Sequence, residues 1–499
     1  MLKQIAQAFG FSSVLLLLNY VDLTSAEGDV RFHVPRPIPS IALANLLDIL
    51  IVAAIFVALG WILRKTAWWP HFRLALAIIL PLLLVWRNRD LIPVPLHAWM
   101  ILLVAVMWAL LLIALRLTSF KTYSGLTKFC GVVLAGFAIF AFVMSFQLVR
   151  SMIWRPGPQQ IASSAPDPPV DENKPRLVWI IYDELSFDQA FEHRDPSLAL
   201  PNFDRLQKVS TTYSNASPVA YKTAQVVPSL LIGKRVTDLN YSWSNELTIE
   251  VDSNWKRFDP ALTLFGFARK RGLKSAIVGW YLPYCPLLDG IVDECYWTNA
   301  DALESEMTPD AGLARNTIEP LLIMAKQIIV PKQAAQDEMM IEAKAHWNSY
   351  SDLQRRALDT IREGDNDFVL LHMPIPHPPG MYSRHRQVFS PTGSYLGSLA
   401  LTDRSLGELL GELEASPRWK STTLIVMGDH SWRVGMWNSR PGWSARNEQL
   451  SRGHFDPRPV LLIHKPGQGS NQTVSDSYPM LQLHDRIQCS LAQAQIDCF

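Results

Sequence analysis

The stretch RLVWIIYDE, residues 176–184, is an apolar run that begins after one arginine and ends in two acids. Strands with one face in water alternate apolar and polar residues, whereas strands covered on both faces are apolar throughout. The run therefore predicts a buried parallel strand with Asp183 and Glu184 at its carboxyl end.

Further apolar runs follow in KSAIVGWY, DFVLLHMPIPH, TTLIVMGDH and PVLLIHKPG, and helical patterns such as YLGSLALTDRSLGELLGELEA lie between them. Strands that alternate with helices predict an α/β domain with a largely parallel central sheet flanked by helices. We assign this domain to residues 176–470. A polar helical insertion is expected at about 301–365, and residues 471–499 form a weakly patterned C-terminal tail.

Residues 1–152 have a different composition, dense in Leu, Ile, Val, Ala, Phe and Trp. A membrane-spanning helix needs about 20 apolar residues. The stretch Ile5–Val21 is either a first span or a signal peptide that ends near Ala26. We predict an N-terminal α-helical transmembrane bundle of about five spans, joined to the α/β domain by a Pro-rich linker at 153–175. The other expected spans are Leu43–Leu63, Phe72–Trp86, Leu96–Leu117 and Phe129–Val149.

Basic residues in the loops between these spans predict the topology. Two loops between the spans are basic, and both are expected on the cytoplasmic side by the positive-inside rule. The first carries Arg64, Lys65 and Arg73. The C-terminal domain of this multi-pass protein would then lie on the extracytoplasmic side, although Arg87 and Arg89 oppose that assignment. The second loop carries Arg116, Lys121 and Lys128.

Four of the five cysteines fall in the C-terminal part as two close pairs. The spacing predicts disulfides Cys285–Cys295 and Cys489–Cys498 in an oxidising compartment, with four buried free thiols as the alternative. Charge gives no sign of a nucleic-acid partner, because 46 basic residues balance 45 acidic ones.

Acids and histidines stand at successive strand ends. Asp183 and Glu184 follow one strand, His377 another, and Asp429 with His430 a third, while His454 precedes a fourth. Ligands of open α/β sheets bind at the carboxyl ends of the strands. Mixed oxygen and nitrogen donors predict a divalent metal, Zn or Mn first and Mg or Ca as further possibilities. Taken singly, the acids could be helix caps and the histidines ordinary loop residues.

Thr223 opens the segment TAQVVPSLLIGK, which has a helical pattern. A hydroxyl at a helix start is commonly an N-cap. Beside a metal it becomes a candidate nucleophile, because a nearby cation lowers its pKa and helix N-termini also favour anions.

These motifs occur in an order that resembles a known family. RLVWIIYDEL, TTYSNASPVAYKTAQVVPSLLIGK, LTLFGFARKRGLKSAIVGWY, FVLLHMPIPHPPG, TTLIVMGDHS and RPVLLIHKPG together resemble the sulfatase-like branch of the alkaline phosphatase superfamily. The resemblance covers residues 176–467.

The resemblance implies a role for each site residue. Asp183, Asp429 and His430 would bind metal, with Glu184 in the place of a second acid that some branches use. Thr223 would be both nucleophile and ligand. Substrate contacts would come from His377, which could also act in catalysis, and from Lys234 and His454.

Threonine at the nucleophile position departs from the strict sulfatases, which need a Cys or Ser that is oxidised to formylglycine. The segment and the membrane architecture instead resemble phosphoethanolamine and phosphoglycerol transferases. We therefore expect a membrane-anchored, metal-dependent enzyme that transfers or hydrolyses a phospho-substituent, with a phospholipid, glycolipid or envelope glycan as substrate. Two alternatives remain: a sulfuric ester hydrolase, and a non-catalytic domain that binds envelope glycans or partners.

Overall fold

The computed structural model describes residues 2–17, 39–87, 98–153, 174–241, 247–298, 312–438, 440, 442–451, 456–492 and 498–499. The chain forms two compact units. One contains the N-terminal helices together with a helix from the middle of the chain, and the other contains the α/β domain.

Within the described residues, the helical unit has six N-terminal helices. A seventh, Leu313–Ile329, which we call the insertion helix, also belongs to this unit and packs against the second helix, although its sequence lies within the predicted insertion at 301–365. The six are α1 (Leu2–Leu15), α2 (Pro39–Leu63), α3 (Trp69–Arg87), α4 (Ala98–Thr118), α5 (Phe120–Gly136) and α6 (Ala138–Ile153).

Large apolar side chains face outward from these helices, as Leu103 and Phe142 do with 53% and 74% of their surface exposed. Two described stretches, Ala42–Leu63 and Phe120–Val149, are long and apolar enough to cross a membrane. Both are compatible with a membrane anchor. The predicted span at Ile5–Val21 lies partly outside the described residues, as does the one at Leu96–Leu117.

An eight-stranded sheet forms the centre of the α/β unit, in the order β14-β2-β13-β12-β1-β9-β7-β8. The five strands from β12 to β8 run parallel, and β13 is antiparallel to both its neighbours. Its strands are β1 (Arg176–Tyr182), β2 (Thr211–Tyr213), β7 (Ser275–Trp280), β8 (Glu294–Thr298), β9 (Phe368–Met373), β12 (Thr422–Gly428), β13 (Leu461–His464) and β14 (Gln472–Val474).

Three small sheets accompany the central one. They pair β15 (Tyr478–Pro479) with β3 (Ala216–Ser217), β10 (Tyr382–Ser383) with β11 (Val388–Phe389), and β4 (Val236–Tyr241) with β5 (Leu247–Val251) and β6 (Asn254–Arg257).

Helices cover both faces of the central sheet. They are α7 (Pro201–Gln207), α8 (Thr223–Ile232), α9 (Leu264–Lys270), α10 (Tyr284–Leu287), α11 (Pro331–Glu363), α12 (Tyr395–Ala415), α13 (Val434–Trp437), α14 (Ala445–Ser451) and α15 (Leu483–Ala492). Single turns of 3-10 helix lie at Pro260–Leu262, Pro417–Ser421 and Met480–Gln482, and a π turn lies at Asp188–Glu192.

Strand β1 is apolar throughout because it is buried on both faces. Trp179 and Ile181 pack in one core cluster with α8, α9 and α15, while Ile180 and Tyr182 pack in the other with α7, α11 and α12. The predicted α/β class is confirmed, with β1 at the centre of the sheet.

Residues 471–499, which the sequence left as a tail, contribute to the α/β unit. β14 adds a strand to the edge of the central sheet, and α15 places Leu483 and Ile487 in the core. Both predicted disulfides are present, joining Cys285 to Cys295 and Cys489 to Cys498.

Candidate active site

The site begins where two neighbouring parallel strands end. In β1 and β12, Ile181 pairs with Met427 and Tyr182 with Gly428, so the next residues, Asp183 and Asp429, stand side by side at the carboxyl edge. Gly428 leaves room for the segment after β1, since a Cβ there would lie 2.4 Å from the Leu185 carbonyl oxygen. Parallel pairing thus brings together two acids that are far apart in sequence.

Asp183, Asp429 and His430 form a buried cluster in which the nearest ligand atoms all lie within 4.8 Å of one another. Nδ1 of His430 lies 2.9 Å from the carbonyl oxygen of Ser431. A carbonyl only accepts, so Nδ1 donates to it, and Nε2 is the ring nitrogen that can offer a lone pair to a cation. That Nε2 lies 3.3 Å from Oδ2 of Asp429. The three side chains present oxygen and nitrogen donors to one point.

The cluster carries more negative charge than its protein neighbours balance. Burial, and then the charge of Asp429, raise the pKa of Asp183 well above its usual range, while Arg433 lowers it. Oδ1 of Asp183 is buried and has no hydrogen-bond partner among the described atoms. A buried carboxylate is stable only when it is paired, protonated or bound to a metal. Two carboxylates and an imidazole lone pair fit a divalent cation.

Thr223 is the first residue of α8, and its hydroxyl lies among the cluster. Oγ1 is 2.8 Å from Oδ2 of Asp429, 3.2 Å from Oδ2 of Asp183 and 3.5 Å from Nε2 of His430. The N-cap of α8 is Lys222. The hydroxyl therefore interacts with the acids of the two strand ends and does not serve as the cap of its own helix.

The structure places Glu184 away from the donor group. Its Oε1 accepts from Nε of Arg433 at 2.6 Å, and its Oε2 accepts from Nε1 of Trp437 at 2.9 Å. Both carboxylate oxygens of Glu184 are thus hydrogen-bonded. Glu184 has a left-handed backbone (φ 67°), and its side chain reaches Trp437 in α13. The residues that could hold a metal are Asp183, Asp429 and His430, with Thr223 beside them.

His377 follows β9 in a proline-rich loop and packs its ring 5.1 Å from that of Trp280. Its Nδ1 lies 2.6 Å from the Pro378 carbonyl oxygen. Burial, and then the positive charge of Arg433, lower the pKa of His377 well below its usual value. The ring is therefore neutral near pH 7, with Nε2 as a hydrogen-bond acceptor.

Two predicted substrate contacts are not part of this cluster. Lys234 is exposed and lies beyond the carboxyl end of α8, whereas Thr223 begins that helix, so about 15 Å of helix separates them. Helices that start at a site end away from it. His454 lies outside the described residues.

A second buried histidine, which was not predicted from the sequence, lies near the cluster. His372 on β9 is fully buried, and its Nδ1 is 2.7 Å from the Tyr284 hydroxyl. Burial lowers its pKa to about 4, against the opposing charge of Asp429. Gly279 leaves room for Tyr284, since a Cβ there would meet the tyrosine ring at 2.3 Å. The pair of His372 and Tyr284 could not be predicted, because His372 lies inside the apolar run of β9.

Comparison with known proteins agrees with this architecture. The Sulfatase family model matches residues 175–478, well over half of the chain. The chain belongs to the Sulfatase family. No curated protein sequence matches it.

Similar solved structures include Ps i-CgsB in complex with k-i-k-neocarrahexaose, at 17% identity and a TM-score of 0.43, covering 65% of this chain and 73% of that one. Another is the phosphonate monoester hydrolase of Agrobacterium radiobacter, at 15% identity and a TM-score of 0.38, covering 64% and 74%. A protein in the alkaline phosphatase superfamily from Vibrio parahaemolyticus matches at 14% identity and a TM-score of 0.32, covering 60% and 62%.

Family membership and site together define a sulfatase-like hydrolase. Members of this family depend on divalent metals, and the Asp183, Asp429 and His430 group could bind one.

Proposed function

We propose that the protein is a membrane-anchored phosphotransferase or phosphohydrolase that uses Thr223 as its nucleophile. The observation that supports this most is the position of the Thr223 hydroxyl, 2.8 Å from Asp429 and within 3.5 Å of His430. A threonine placed only to start α8 has no need of these contacts. A hydroxyl nucleophile is activated by a base or a metal ion beside it, and the residues that would hold the metal lie beside this hydroxyl.

Asp183, Asp429 and His430 would hold the metal, of which Zn or Mn fits the mixed donors well and Mg or Ca remains possible. When bound, a divalent cation supplies positive charge that lowers hydroxyl pKa values and stabilises anionic oxygens. Backbone N–H groups of Glu184 and His430 hold Oδ1 of Asp429 at 3.0 Å and 2.8 Å. These bonds orient Oδ2 of Asp429 towards Thr223.

In the first step, Oγ1 of Thr223 bonds to phosphorus and the bond from phosphorus to the departing alcohol oxygen breaks. The net proton transfer is from the Thr223 hydroxyl to that alcohol. In the second step, the oxygen of an acceptor hydroxyl or of water bonds to phosphorus, the bond from phosphorus to Oγ1 of Thr223 breaks, and the acceptor's proton restores the threonine hydroxyl. Neutral His377 presents an acceptor nitrogen, which suits a contact with a substrate hydroxyl.

The proposed donor is a phospholipid headgroup and the proposed acceptor an envelope lipid or glycan. The apolar helices of the N-terminal unit, which would keep the enzyme at the lipid surface, support this choice. Of the basic residues expected in loops, Arg64 and Lys65 lie between α2 and α3, whereas Arg73, Arg116, Lys121 and Lys128 lie within helices. An extracytoplasmic location is further supported by the disulfides Cys285–Cys295 and Cys489–Cys498, which persist in oxidising compartments.

Sulfate-ester hydrolysis is the second candidate, and membership of the Sulfatase family favours it. Threonine cannot be oxidised to the formylglycine aldehyde by the route open to Cys or Ser. We therefore rank sulfate-ester hydrolysis below phosphoryl transfer. A non-catalytic binding domain is a third, and it would have no need of the Thr223 contacts.

Thr223→Ala tests the proposal in full-length protein assayed with phosphate diesters, phosphate monoesters and sulfate monoesters. We expect turnover of the preferred ester to fall at least about 10³-fold, in line with the loss of a nucleophile. Thr223→Ser keeps a hydroxyl and should retain measurable turnover. The fold should persist in both, because the Thr223 side chain does not occupy the N-cap position of α8.

Wild-type turnover in Thr223→Ala would refute the nucleophile assignment. Preference for sulfate esters over both phosphate classes would favour the second candidate. The absence of turnover in wild-type protein that contains metal would favour the non-catalytic domain.

A further inference from the structure

Glu184, next to the metal-binding group in sequence, is built into the protein as an anchor. It is fully buried, and each of its polar atoms is engaged. Its N–H donates to Oδ1 of Asp429 at 3.0 Å, and its carbonyl oxygen accepts from the Tyr395 hydroxyl at 2.7 Å. Its carboxylate accepts from Arg433 and Trp437. Such complete satisfaction, at a residue with a left-handed backbone, is expected where a side chain has a fixed task.

The task of Glu184 is to hold Arg433. Only one guanidinium nitrogen, Nε, is used in that bond, at 2.6 Å. The terminal nitrogens Nη1 and Nη2 donate to no acceptor among the described residues, and 27% of the side chain stays exposed. A guanidinium has five N–H donors in a rigid fork. Four of them are therefore left for another group.

Arg433 acts on both halves of the site. It follows His430 by three residues, in the loop that leads from β12 to α13. Its charge lowers the pKa of His377 and opposes the rise in the pKa of Asp183. The cation is thus close enough to act on the metal-binding acids and on the histidine of the proline-rich loop.

Resting on the proposed function, we infer that Arg433 binds an anionic oxygen of the substrate's tetrahedral phosphate or sulfate group. The fork of Nη1 and Nη2 matches two oxygens of such an anion. Glu184 fixes the orientation of the fork through Nε. A substrate oxyanion would then lie between the metal-binding group and Arg433, with Thr223 beside it.

A purely structural role is the competing interpretation, in which Arg433 only neutralises buried Glu184. Arg433→Lys separates the two. Lysine keeps a cation for Glu184, so the buried carboxylate stays paired. It cannot bond Glu184 and also offer a fork to a ligand, because it carries a single nitrogen.

The experiment measures binding of inorganic phosphate and of inorganic sulfate to full-length, metal-loaded protein by calorimetry, with metal content determined on the same samples. We expect Arg433→Lys to weaken binding of the preferred anion at least about tenfold, with unchanged metal content. Arg446→Lys is the matched control, since Nε of Arg446 likewise bonds a buried acid, Asp195, at 2.5 Å. It should bind the anion as wild type does.

Wild-type anion affinity in Arg433→Lys would overturn the inference, and so would failure of the metal-loaded wild type to bind either anion. Should Arg433→Lys not fold, the double variant Glu184→Gln with Arg433→Gln removes the charge pair as a unit and should still lose anion affinity. Unchanged affinity there would again overturn it.

The proposed function fails on a different readout. Thr223→Ala leaves Arg433 in place, so we expect it to bind phosphate within a few-fold of wild type even though turnover is lost. Retained turnover in Thr223→Ala would refute the nucleophile and leave the Arg433 result standing.

Discussion

Buried acids at the two edges of the central sheet differ in whether their carboxylate oxygens are paired. At the amino edge, Asp367 precedes β9 and both of its carboxylate oxygens are paired, one with Arg418 at 3.0 Å and the other with Lys174 at 2.6 Å. At the carboxyl edge, Asp183 follows β1, and its Oδ1 has no hydrogen-bond partner among the described atoms. Asp183 and Asp367 have nearly the same exposure, 1% and 2%.

The difference separates stability from function. Arg418 donates to Asp367 and to the carbonyl oxygens of Gly364, Asn366 and Pro175, so it ties together the segments that enter three strands. At the carboxyl edge the Asp183 and Asp429 carboxylates meet with no Lys or Arg side chain bonded to them among the described residues. An edge that leaves buried acids unpaired is suited to receive a cation from outside the chain.

Arg418→Met breaks the paired edge and carries the largest expected effect on stability. Removing one partner leaves Asp367 short of a cation and several buried carbonyls without donors. We expect a loss of about 3–5 kcal/mol in the free energy of unfolding. Denaturant titration of the full-length protein measures it, and metal content per folded molecule should not change. A loss below about 1 kcal/mol would mean that the amino edge does not depend on this pair.

A smaller effect on stability is expected at the carboxyl edge. Once a chelator has removed the metal, the free energy of unfolding should depend on the protonation of Asp183. The folded-state pKa of Asp183 lies above its unfolded value because of burial and Asp429. Its contribution to stability is thus fully present below the unfolded pKa of about 3.9 and is lost as pH rises through the folded pKa. The slope for one proton is at most about 1.4 kcal/mol per pH unit.

Measuring the free energy of unfolding of the metal-free protein from about pH 4 upwards tests whether stability falls as the pH rises. Asp183→Asn should flatten the decline, because the amide does not titrate. An identical slope in the metal-free wild type and in Asp183→Asn would show that Asp183 does not titrate with a raised pKa.

Much of the sheet and its carboxyl edge could be predicted from sequence. Strands β1, β9 and β12 are buried on both faces and so read as apolar runs, and the residues after a parallel strand necessarily share one edge. That reasoning located Asp183, Asp429 and His430. The three-stranded sheet β4–β6 was not predicted from the sequence. Its strand β5 alternates buried and half-buried residues, and the turn that follows has positive φ at both Asp252 and Ser253.

The partners of the site residues could not be predicted in the same way. Glu184 is adjacent to Asp183 in sequence, yet its carboxylate bonds Arg433, 249 residues further along. A left-handed backbone at Glu184 decides this, and backbone angles of single residues are not visible in a pattern of apolar runs. Lys234 is the opposite case, since a residue near Thr223 in sequence lies beyond the far end of α8, and its contact with substrate stays a prediction.

Metal content tests the central claim most directly, because the unpaired edge is proposed to bind a divalent cation. Full-length wild-type protein and Asp429→Asn are purified, loaded with Zn or Mn, freed of excess metal and analysed by elemental mass spectrometry. Asp204→Asn, the same change at a half-exposed acid paired with Arg194, serves as the control. We predict about one bound metal in wild type and in Asp204→Asn, and at least about tenfold weaker binding in Asp429→Asn. Wild-type metal content in Asp429→Asn, or no bound metal in wild type, would contradict the account.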